Sequence, residues 1–314
     1  MLILDDLQDP RLKDLCPVIT IGNFDGVHLG HQKVINQTMT LAKAKGTKSL
    51  VMTFAPHTRK LLNFEHPPLL LNTPSQKLEL IEKMGMDFLL TVGFTDDFSH
   101  TTPEEFVRSF LVDKLRIRAV CLSSKFRFGY QGRGDIHLLK RLGKVHLFEV
   151  VEVEAVYIGN RPVDSTRIRE LIREGRVEEA SLLLGREYMV DGRVTRGVRR
   201  GESIGYPTAN IQPENELLPG FGIYITRCLL RGNLLPSVTS LGVRPTFGEN
   251  IPTLETHILN FSQEIYGEPI RLCFIKRIRD EMKFPHPDSL REQIRRDVEA
   301  ATEYFKKNKP QPSP

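Results

Sequence analysis

The sequence predicts an α/β domain built on a parallel sheet, followed by an antiparallel β domain that a C-terminal helix closes. In the first half, short apolar runs alternate with stretches of helical periodicity, the pattern of a parallel sheet covered by helices. Beyond Arg186 the apolar runs are short and lie between Gly, Pro and Asn clusters, which is typical of an antiparallel barrel or sandwich. The pattern changes near Leu184–Glu187, so we expect domains at residues 1–185 and 186–314.

The elements of the first domain follow from β-branched runs and from helical spacing. Strand-like runs are predicted at residues 18–21, 49–54, 88–94 and 119–122. Helical periodicity is found in the segment that carries Val34, Ile35, Met39 and Ala42, and again in 76–85 and 103–115. A Pro-rich loop is expected from Pro56 to Pro74. Strands that alternate with helices in this order predict parallel pairing.

The second domain is predicted as short strands followed by one helix. The strand-like runs are 222–230, 238–243, 255–261 and 270–275. The segment 289–305 then places Leu290, Ile294, Val298 and Ala301 on one stripe at helical spacing. This helix is expected to close the β domain.

Composition indicates an ordinary globular protein. Of the 314 residues, 40% are hydrophobic and 26% charged, and the formal net charge is +5. That excess suits anionic ligands, nucleotides included, but is too small to indicate a nucleic acid or a membrane as partner. No apolar run approaches the ~18 residues of a membrane span, and the four cysteines form no C-x-x-C pair. We expect a cytoplasmic protein with reduced thiols, and nothing in the sequence indicates its oligomeric state.

The stretch VITIGNFDGVHLGHQKV, residues 18–34, combines a strand, a glycine-bearing turn and the start of a helix. Free backbone N–H groups and the helix dipole make such a turn an anion site. His28 and His31 lie on one side of it and could donate to phosphate oxygens as charge develops during phosphoryl or nucleotidyl transfer. A zinc pair is an alternative, but zinc usually needs three or four ligands and no third is evident nearby. Loop histidines with purely structural hydrogen bonds are the other alternative.

A second helix start carries hydroxyls and a guanidinium. VDSTRIRELIREG, residues 163–175, contains Ser165, Thr166 and Arg169, with Ser165 as the expected N-cap. Ile168, Leu171 and Ile172 form the stripe that we expect to be buried. The segment is either a capped surface helix or a second phosphate-binding helix start.

The second domain has a glycine-bearing loop of its own. DGRVTRGVRRGESIGYPTANI, residues 191–211, has glycines at 192, 197, 201 and 205, which would let backbone amides approach phosphates or would serve hairpin turns. It is not a Walker A loop, since no G-K-[ST] follows. Thr208 and Asn210 offer the hard oxygen ligands that Mg²⁺ with ATP prefers.

A carboxylate stands in a later strand-like run. In LETHILNF, residues 254–261, period-two alternation places Glu255, His257, Leu259 and Phe261 on one face. An acid on a face that ends in Leu and Phe is expected to border a pocket. A solvated Glu on an edge strand is the alternative.

These motifs together resemble the bacterial bifunctional riboflavin kinase/FMN adenylyltransferase family, the prokaryotic FAD synthetases. The resemblance covers nearly the whole chain and extends to six further segments and motifs: VMTFAPHT (51–58), SSKFRFGYQGRGD (123–135), PTAN (207–210), LGVRPTFG (241–248), IYG (265–267) and RDEMKFP (279–285). It implies a Rossmann-like nucleotidyltransferase domain at 1–185 and an antiparallel flavokinase β-barrel with a closing helix at 186–314. The implied reactions phosphorylate riboflavin to FMN and then adenylylate FMN to FAD, with ATP and Mg²⁺.

The resemblance also implies residue roles. Catalysis is assigned to Glu255, as base for the riboflavin 5′-hydroxyl, and to His28, His31 and Arg169. Nucleotide binding is assigned to Gly22, Asn23, Gly30, Ser165, Thr166, Gly197, Gly201, Gly205 and Thr208, and Mg²⁺ to Thr208 and Asn210. Flavin binding is assigned to Phe54, Pro56, Phe126 and Phe128.

Two rival functions stay open at this point. The family usually has Asp and Pro where this chain has Ala55 and Thr58, and Gly and Asp or Asn at the positions of Ser123 and Lys125. One rival is therefore a riboflavin kinase whose first domain adenylylates slowly or not at all. The other is a basic nucleic-acid-binding protein, which the lack of Trp and of Arg/Lys runs with interleaved aromatics disfavours.

Overall fold

The computed structural model describes residues 1–62, 65, 67–196, 205–246 and 249–308. Contacts divide the chain into two units. The first consists of Met1–Leu69 and Pro74–Ser165, and the second of Leu70–Thr73 and Thr166–Pro314. The stretch 166–185 therefore shares its contacts with the second unit.

The first unit is built on a six-stranded parallel sheet in the order β1-β4-β3-β2-β5-β6. Its strands are β1 Leu2–Leu4, β2 Val18–Ile21, β3 Ser49–Ala55, β4 Phe88–Gly93, β5 Ala119–Ser123 and β6 Glu149–Val153. The chain runs outward from β2 through β3 to β4, and then from β5 to β6 on the other side of β2. The strand order thus reverses between β2 and β5, where open α/β sheets bind ligands at their carboxyl ends.

Helices connect the parallel strands of the first unit. They are α1 Leu29–Ala44, α2 Thr58–Leu62, α3 Pro74–Lys83, α4 Asp96–Ser99, α5 Pro103–Glu105 and α6 Ile136–His146. Two 3-10 turns (Pro10–Leu12, Tyr130–Gly132) and the small ribbon β7 Tyr157–Ile158 and β8 Arg161–Pro162 complete it. Ile19 and Ile21 pack in one core, and Val18 packs in another with Val34 and Ala42 of α1. Successive residues of β2 therefore pack on opposite faces of the sheet, and both faces are buried, as in other parallel sheets.

Two of the segments that the sequence assigns in the first unit differ from the prediction. The stretch expected as a loop from Pro56 to Pro74 contains the short helix α2. The segment 103–115 is helical, but after α5 it continues as a π-helix over Phe106–Lys114. Phe106, Leu111 and Leu115 are all buried, and their spacing exceeds turns of 3.6 residues, so the wider π turn keeps them on the core side.

The second unit is a closed six-stranded antiparallel barrel in the order β10-β13-β12-β11-β14-β9. Its strands are β9 Tyr188–Thr195, β10 Ala209–Pro213, β11 Gly222–Leu230, β12 Asn233–Thr246, β13 Glu249–Ile258 and β14 Pro269–Arg279. Helices α7 Ser165–Arg173 and α8 Val177–Leu184 lead into it and α9 Pro287–Lys307 follows it. The predicted fold class, an α/β domain and an antiparallel barrel with a closing helix, is confirmed.

The outer face of the barrel packs on the closing helix. Ile223, Ile225 and Val238 form a cluster with Ala301 of α9, against which Val298 also packs, so part of the predicted stripe is the buried face. Asp297 of the same helix is 3% exposed and accepts from Nη2 of Arg279 over 2.7 Å. None of the described helices is long and apolar enough to cross a membrane.

Candidate functional site

The histidine loop, which we define as residues 22–31, follows the carboxyl end of β2, beside the point where the strand order reverses. The segment between Gly22 and His28 contains three residues with left-handed backbone: Phe24 (φ 50°), Gly26 (φ 89°) and Val27 (φ 38°). Two of these are not glycine, so the loop has a costly shape that its surroundings must hold.

The two histidines of this loop are in direct contact. His28 is the N-cap of α1, and its Nδ1 accepts from the backbone N–H of His31 over 3.3 Å. The two rings stack with centroids 3.7 Å apart and an interplanar angle of 18°. His28 is 5% exposed and His31 is half-buried. The pair thus forms one imidazole stack at the mouth of α1, where the helix dipole favours an anion.

Gly30 lies tightly against the His28 ring. A Cβ on Gly30 would lie 3.1 Å from Cε1 and 3.2 Å from Nδ1 of His28, closer than side chains normally tolerate. The L-G-H spacing therefore has a packing reason, because a side chain at Gly30 would displace the ring that caps the helix.

The side chain of Asn23 is held by Thr58. Its Nδ2 donates to Oγ1 of Thr58 over 2.8 Å, and the backbone N–H of Thr58 donates to Asn23 Oδ1 over 3.2 Å. Both ends of the amide are therefore engaged within the protein. Proline, which the family usually has at the position of Thr58, lacks the N–H and the hydroxyl that make these two bonds.

The S-T-x-x-R motif begins α7. The helix starts at Ser165 itself, so the N-cap position belongs to Asp164, and the prediction of Ser165 as N-cap is corrected. The Ser165 hydroxyl donates instead to the backbone oxygen of Asp25 in the histidine loop, over 2.9 Å. Thr166 is exposed, whereas Arg169 is 5% exposed on the same side as the buried Ile168, Leu171 and Ile172.

The phenylalanines assigned to the flavin lie in one aromatic cluster. Phe126 stacks on Phe128 with ring centroids 5.7 Å apart, and Phe128 contacts Phe106 at 5.7 Å. Phe98 links Phe106 (6.2 Å) to Phe54 (6.0 Å). The ends of β3 and β5 are thus joined by a continuous series of aromatic contacts, in which Phe106 and Phe128 are buried in the core. Pro56 lies beyond β3 and is exposed.

The remaining departures from the family pattern lie at strand ends. Ala55 is the last residue of β3 and Ser123 the last of β5. Lys125 is exposed in the turn after β5, where the Phe126 N–H donates to the Ser123 oxygen over 3.0 Å. Lys125 therefore stands at the carboxyl edge of the sheet.

In the barrel, the PTAN segment meets Glu255. Thr208 donates from Oγ1 to Oε2 of Glu255 over 3.2 Å. Asn210 of β10 is directly opposite Glu255 of β13, so their side chains share a face. A hydroxyl, an amide and a carboxylate converge here, and all three residues are half-buried. Hard oxygen donors of this kind fit Mg²⁺ with ATP, whose phosphates and waters would complete the coordination.

The Glu255 face differs in part from the prediction. Glu255 and His257 do share a face, while Leu254, Thr256 and Ile258 are buried on the other. The strand ends at Ile258, so Leu259 and Phe261 lie beyond it and do not extend that face. Leu259 packs instead on the cluster beneath the closing helix.

His257 holds the start of the PTAN segment. Its Nδ1 lies 2.8 Å from the backbone oxygen of Pro207, an acceptor, so Nδ1 is the donor. Its ring also meets Tyr206 edge-on, with centroids 5.6 Å apart. Glu255 and His257, which are neighbours on the outward face of β13, thus contact Thr208 and Pro207.

Sequence reasoning missed a second carboxylate on this face. A Cβ on Gly242 would overlap the Glu281 carboxylate, so that carboxylate lies over the bare backbone of β12. Gly242 is on the same face as Ser240, which is paired with Glu255. Only the presence of glycine in the strand marks this approach in the sequence.

Two assigned glycines, Gly197 and Gly201, lie outside the described residues. Gly205 is described and has left-handed backbone, φ 86°. Within the described part of the chain, no group of three or more His, Cys, Asp or Glu side chains is arranged to hold a metal ion.

Comparisons with known proteins agree on both halves. Residues 13–167 match the family described as FAD synthetase, and residues 184–305 the family described as riboflavin kinase. A bifunctional riboflavin kinase/FMN adenylyltransferase of Buchnera aphidicola subsp. Schizaphis graminum is 33% identical over 91% of this chain and 93% of its own. The protein of that name from Bacillus subtilis is 35% identical over 92% of each chain.

A solved structure is also similar. The crystal structure of a protein from Streptococcus pneumoniae, described as a macrolide-efflux protein, has a TM-score of 0.88 and 28% identity, over 96% of this chain and 98% of its own. That description is not shared by the two relatives above. Since the two family matches span most of the chain, and relatives above 30% identity are covered over 92% or more of their length, the chain belongs to the bifunctional riboflavin kinase/FMN adenylyltransferase family.

Proposed function

We propose that this chain phosphorylates riboflavin to FMN and then adenylylates FMN to FAD, with ATP as donor in both steps. The observation that carries the proposal is that both chemical sites are present on one chain: the stacked His28 and His31 at the mouth of α1, and Glu255 bonded to Thr208 opposite Asn210. We assign the first site to a domain of residues 1–185 and the second to a domain of residues 186–314.

In the kinase step, Glu255 takes the proton of the riboflavin 5′-hydroxyl, and the hydroxyl oxygen attacks the γ-phosphorus of ATP. The bond from that phosphorus to the β,γ-bridging oxygen breaks, giving FMN and ADP. A carboxylate close to a hydroxyl nucleophile is the usual arrangement for such a base. Thr208 and Asn210 would hold Mg²⁺. When bound, the ion neutralises charge on the phosphates.

In the adenylyl step, a phosphate oxygen of FMN attacks the α-phosphorus of a second ATP, and pyrophosphate leaves. The FMN phosphate is already an anion, so no base is needed, and no covalent enzyme intermediate forms. His28 and His31 donate to the phosphate oxygens as charge develops, beside the N-terminus of α1. Arg169 contributes a guanidinium suited to bidentate phosphate binding.

The backbone and hydroxyls of the two loops complete the nucleotide sites in this proposal. Gly22, Asn23, Gly30, Ser165 and Thr166 serve the first ATP site, and Gly197, Gly201, Gly205 and Thr208 the second. Phe54, Pro56, Phe126 and Phe128 bind the flavin ring. The support for that last assignment is the aromatic cluster at the carboxyl ends of β3 and β5.

Supplying the two acceptors separately tests this proposal. The purified chain is incubated with ATP and Mg²⁺, once with riboflavin and once with FMN, and FMN, FAD and pyrophosphate are resolved by chromatography. We expect FMN from riboflavin, and FAD with an equal amount of pyrophosphate from FMN. FMN production without any FAD from supplied FMN would support the rival, a kinase with an inactive first domain.

A further inference from the structure

A partly buried lysine lies beneath the histidine loop. Lys77 of α3 donates from Nζ to Oγ1 of Thr53 over 3.1 Å and to the backbone oxygen of Asn23 over 3.4 Å. Burial lowers the pKa of this ammonium, and the nearby charge of Asp25 opposes that shift. The cost of desolvating an ammonium must be offset by hydrogen bonds and an opposite charge, and at Lys77 these partners are Thr53 together with Asn23 and Asp25 of the loop.

The contacts of Lys77 converge on one residue of the loop. The Thr53 hydroxyl accepts from Lys77 and donates to the same Asn23 oxygen over 3.4 Å. The Asn23 side chain is meanwhile held twice by Thr58. Asn23 is thus held from its main chain by Lys77 and Thr53, and from its side chain by Thr58.

Asn23 immediately precedes the strained part of the loop. Phe24 and Val27 have left-handed backbone although neither is glycine. Such conformations are unfavourable and persist only where the surroundings over-determine them. The Asn23 anchor is therefore well placed to hold the following N–H groups and the His28 cap in register with the mouth of α1.

We propose that Lys77 is a positioning residue of the adenylyl-transfer step, which holds the Asn23 carbonyl, through Thr53 and directly, so that the histidine loop keeps its anion-binding shape. This inference rests on the proposed adenylyl transfer. Lys77 acts through the loop and not on the reacting atoms, so its removal lowers the rate of FAD formation without weakening the fold.

A merely structural lysine and a positioning lysine differ in what Lys77→Met does. Methionine has a similar length and no charge, so it removes the desolvation cost of the ammonium. A structural role predicts that any loss of activity accompanies a lower unfolding midpoint. A positioning role predicts a loss of FAD formation at an unfolding midpoint equal to or above that of the wild type.

The test uses the full chain and measures FAD formation from FMN, riboflavin phosphorylation and the thermal unfolding midpoint. For Lys77→Met we expect FAD formation to fall by about 10²-fold, the size of effect of a 1 Å misplacement, while riboflavin phosphorylation stays within about twofold. Lys83→Met is the matched control, since Lys83 lies on the same helix, is exposed and pairs with Glu79. It should leave both activities unchanged.

A second pair of variants keeps the test decisive if Lys77→Met does not fold. Thr53→Val removes the hydroxyl between Lys77 and Asn23, and we expect it to lose more FAD formation than Thr53→Ser, which keeps that hydroxyl. Because the two residues act on one oxygen, the double variant Lys77→Met with Thr53→Val should lose less than the product of the single losses.

Three results would overturn the proposal. They are FAD formation within about twofold of the wild type in Lys77→Met, a loss that tracks a lowered unfolding midpoint, and equal activity of Thr53→Val and Thr53→Ser. If the wild type made FMN but no FAD, the proposed adenylyl transfer would itself be wrong, and this would be known before any variant is made. The proposed role of Lys77 would then be wrong as well.

Discussion

Thr208 Oγ1 donates to Glu255 Oε2 over 3.2 Å, which joins the proposed Mg²⁺ ligand to the proposed base. Because the Thr208 hydroxyl uses its proton for the carboxylate, its two oxygen lone pairs point in other directions. The second carboxylate oxygen of Glu255, Oε1, takes no part in this hydrogen bond. The protein itself therefore holds these two residues of the proposed kinase site together.

Glu255→Gln should abolish the kinase step and spare adenylylation. The amide oxygen still accepts from Thr208, so the local structure is kept, but no proton acceptor remains for the riboflavin hydroxyl. Loss of a general base typically costs about 10²–10⁴ in rate. The measurement is FMN formed from riboflavin beside FAD formed from supplied FMN. Equal loss of both would show that Glu255 does not act in one step alone.

His28→Ala, His31→Ala and Arg169→Ala should each lower FAD formation and leave riboflavin phosphorylation unchanged. Removing one donor to a developing oxyanion often costs about 10²–10³ in rate. Steady-state rates of both reactions on one preparation check this, with the kinase as internal control. If all three variants made FAD at the wild-type rate, the histidine stack would have only its structural role as the cap of α1.

Lys125 should set the level of adenylylation. It is exposed at the carboxyl edge of the sheet, and its ammonium can neither hold Mg²⁺ nor accept a hydrogen bond, although it can attract a phosphate. We expect Lys125→Asp and Lys125→Asn to raise FAD formation at fixed FMN and Mg²⁺. A lower rate in both variants would show that the lysine is an adapted part of this site.

Much of the fold is readable from the sequence because its signals are local. The β-branched run Val18–Ile21 forms a strand, and the stripe of Ile168, Leu171 and Ile172 is buried as its spacing predicts. Strand β1, with three residues at a sheet edge, is too short to give a pattern. The π-helix depends on which side of the segment the core covers, which no local propensity encodes.

The candidate site residues stand out in the sequence where motifs carry chemistry, and not where the contacts are distant in sequence. His28, His31, Thr208 and Glu255 stand in recognisable patterns. Lys77 instead looks like any lysine of an amphipathic helix, and 54 residues separate it from Asn23. The bond between Asn23 and Thr58 spans 35 residues and occurs at a position where the motif departs from its family.

The isolated segment 186–314 should phosphorylate riboflavin, but with lower stability than 166–314. Helices α7 and α8 share their contacts with the barrel, Leu183 and Leu184 are buried, and the Gly220 N–H donates to the Ile172 oxygen over 2.9 Å. Thermal unfolding and FMN formation of both fragments test this. Equal unfolding midpoints would show that the two helices do not stabilise the barrel. If both fragments folded but neither made FMN, residues needed for the kinase step would lie outside residues 166–314.

Most thiols of the native protein should react slowly. Burial raises the pKa of Cys121 to about 11, and those of Cys228 and Cys273 to about 12. A raised pKa disfavours the reactive thiolate, so at about pH 8 these groups stay protonated. Labelling with a disulfide reagent should therefore be slow in the native protein and fast in urea. Rapid native labelling of all the cysteines would contradict this.

The most direct test of two sequential ATP-dependent steps is to follow label from ATP into the flavins. Riboflavin, Mg²⁺ and the full chain are incubated with ATP labelled in its γ-phosphate or, in parallel, in its α-phosphate, and the flavins are separated over time. The γ label should enter FMN first and FAD afterwards, whereas the α label should enter FAD and never FMN. An α label in FMN, or γ-labelled FMN with no α-labelled FAD, would contradict the account.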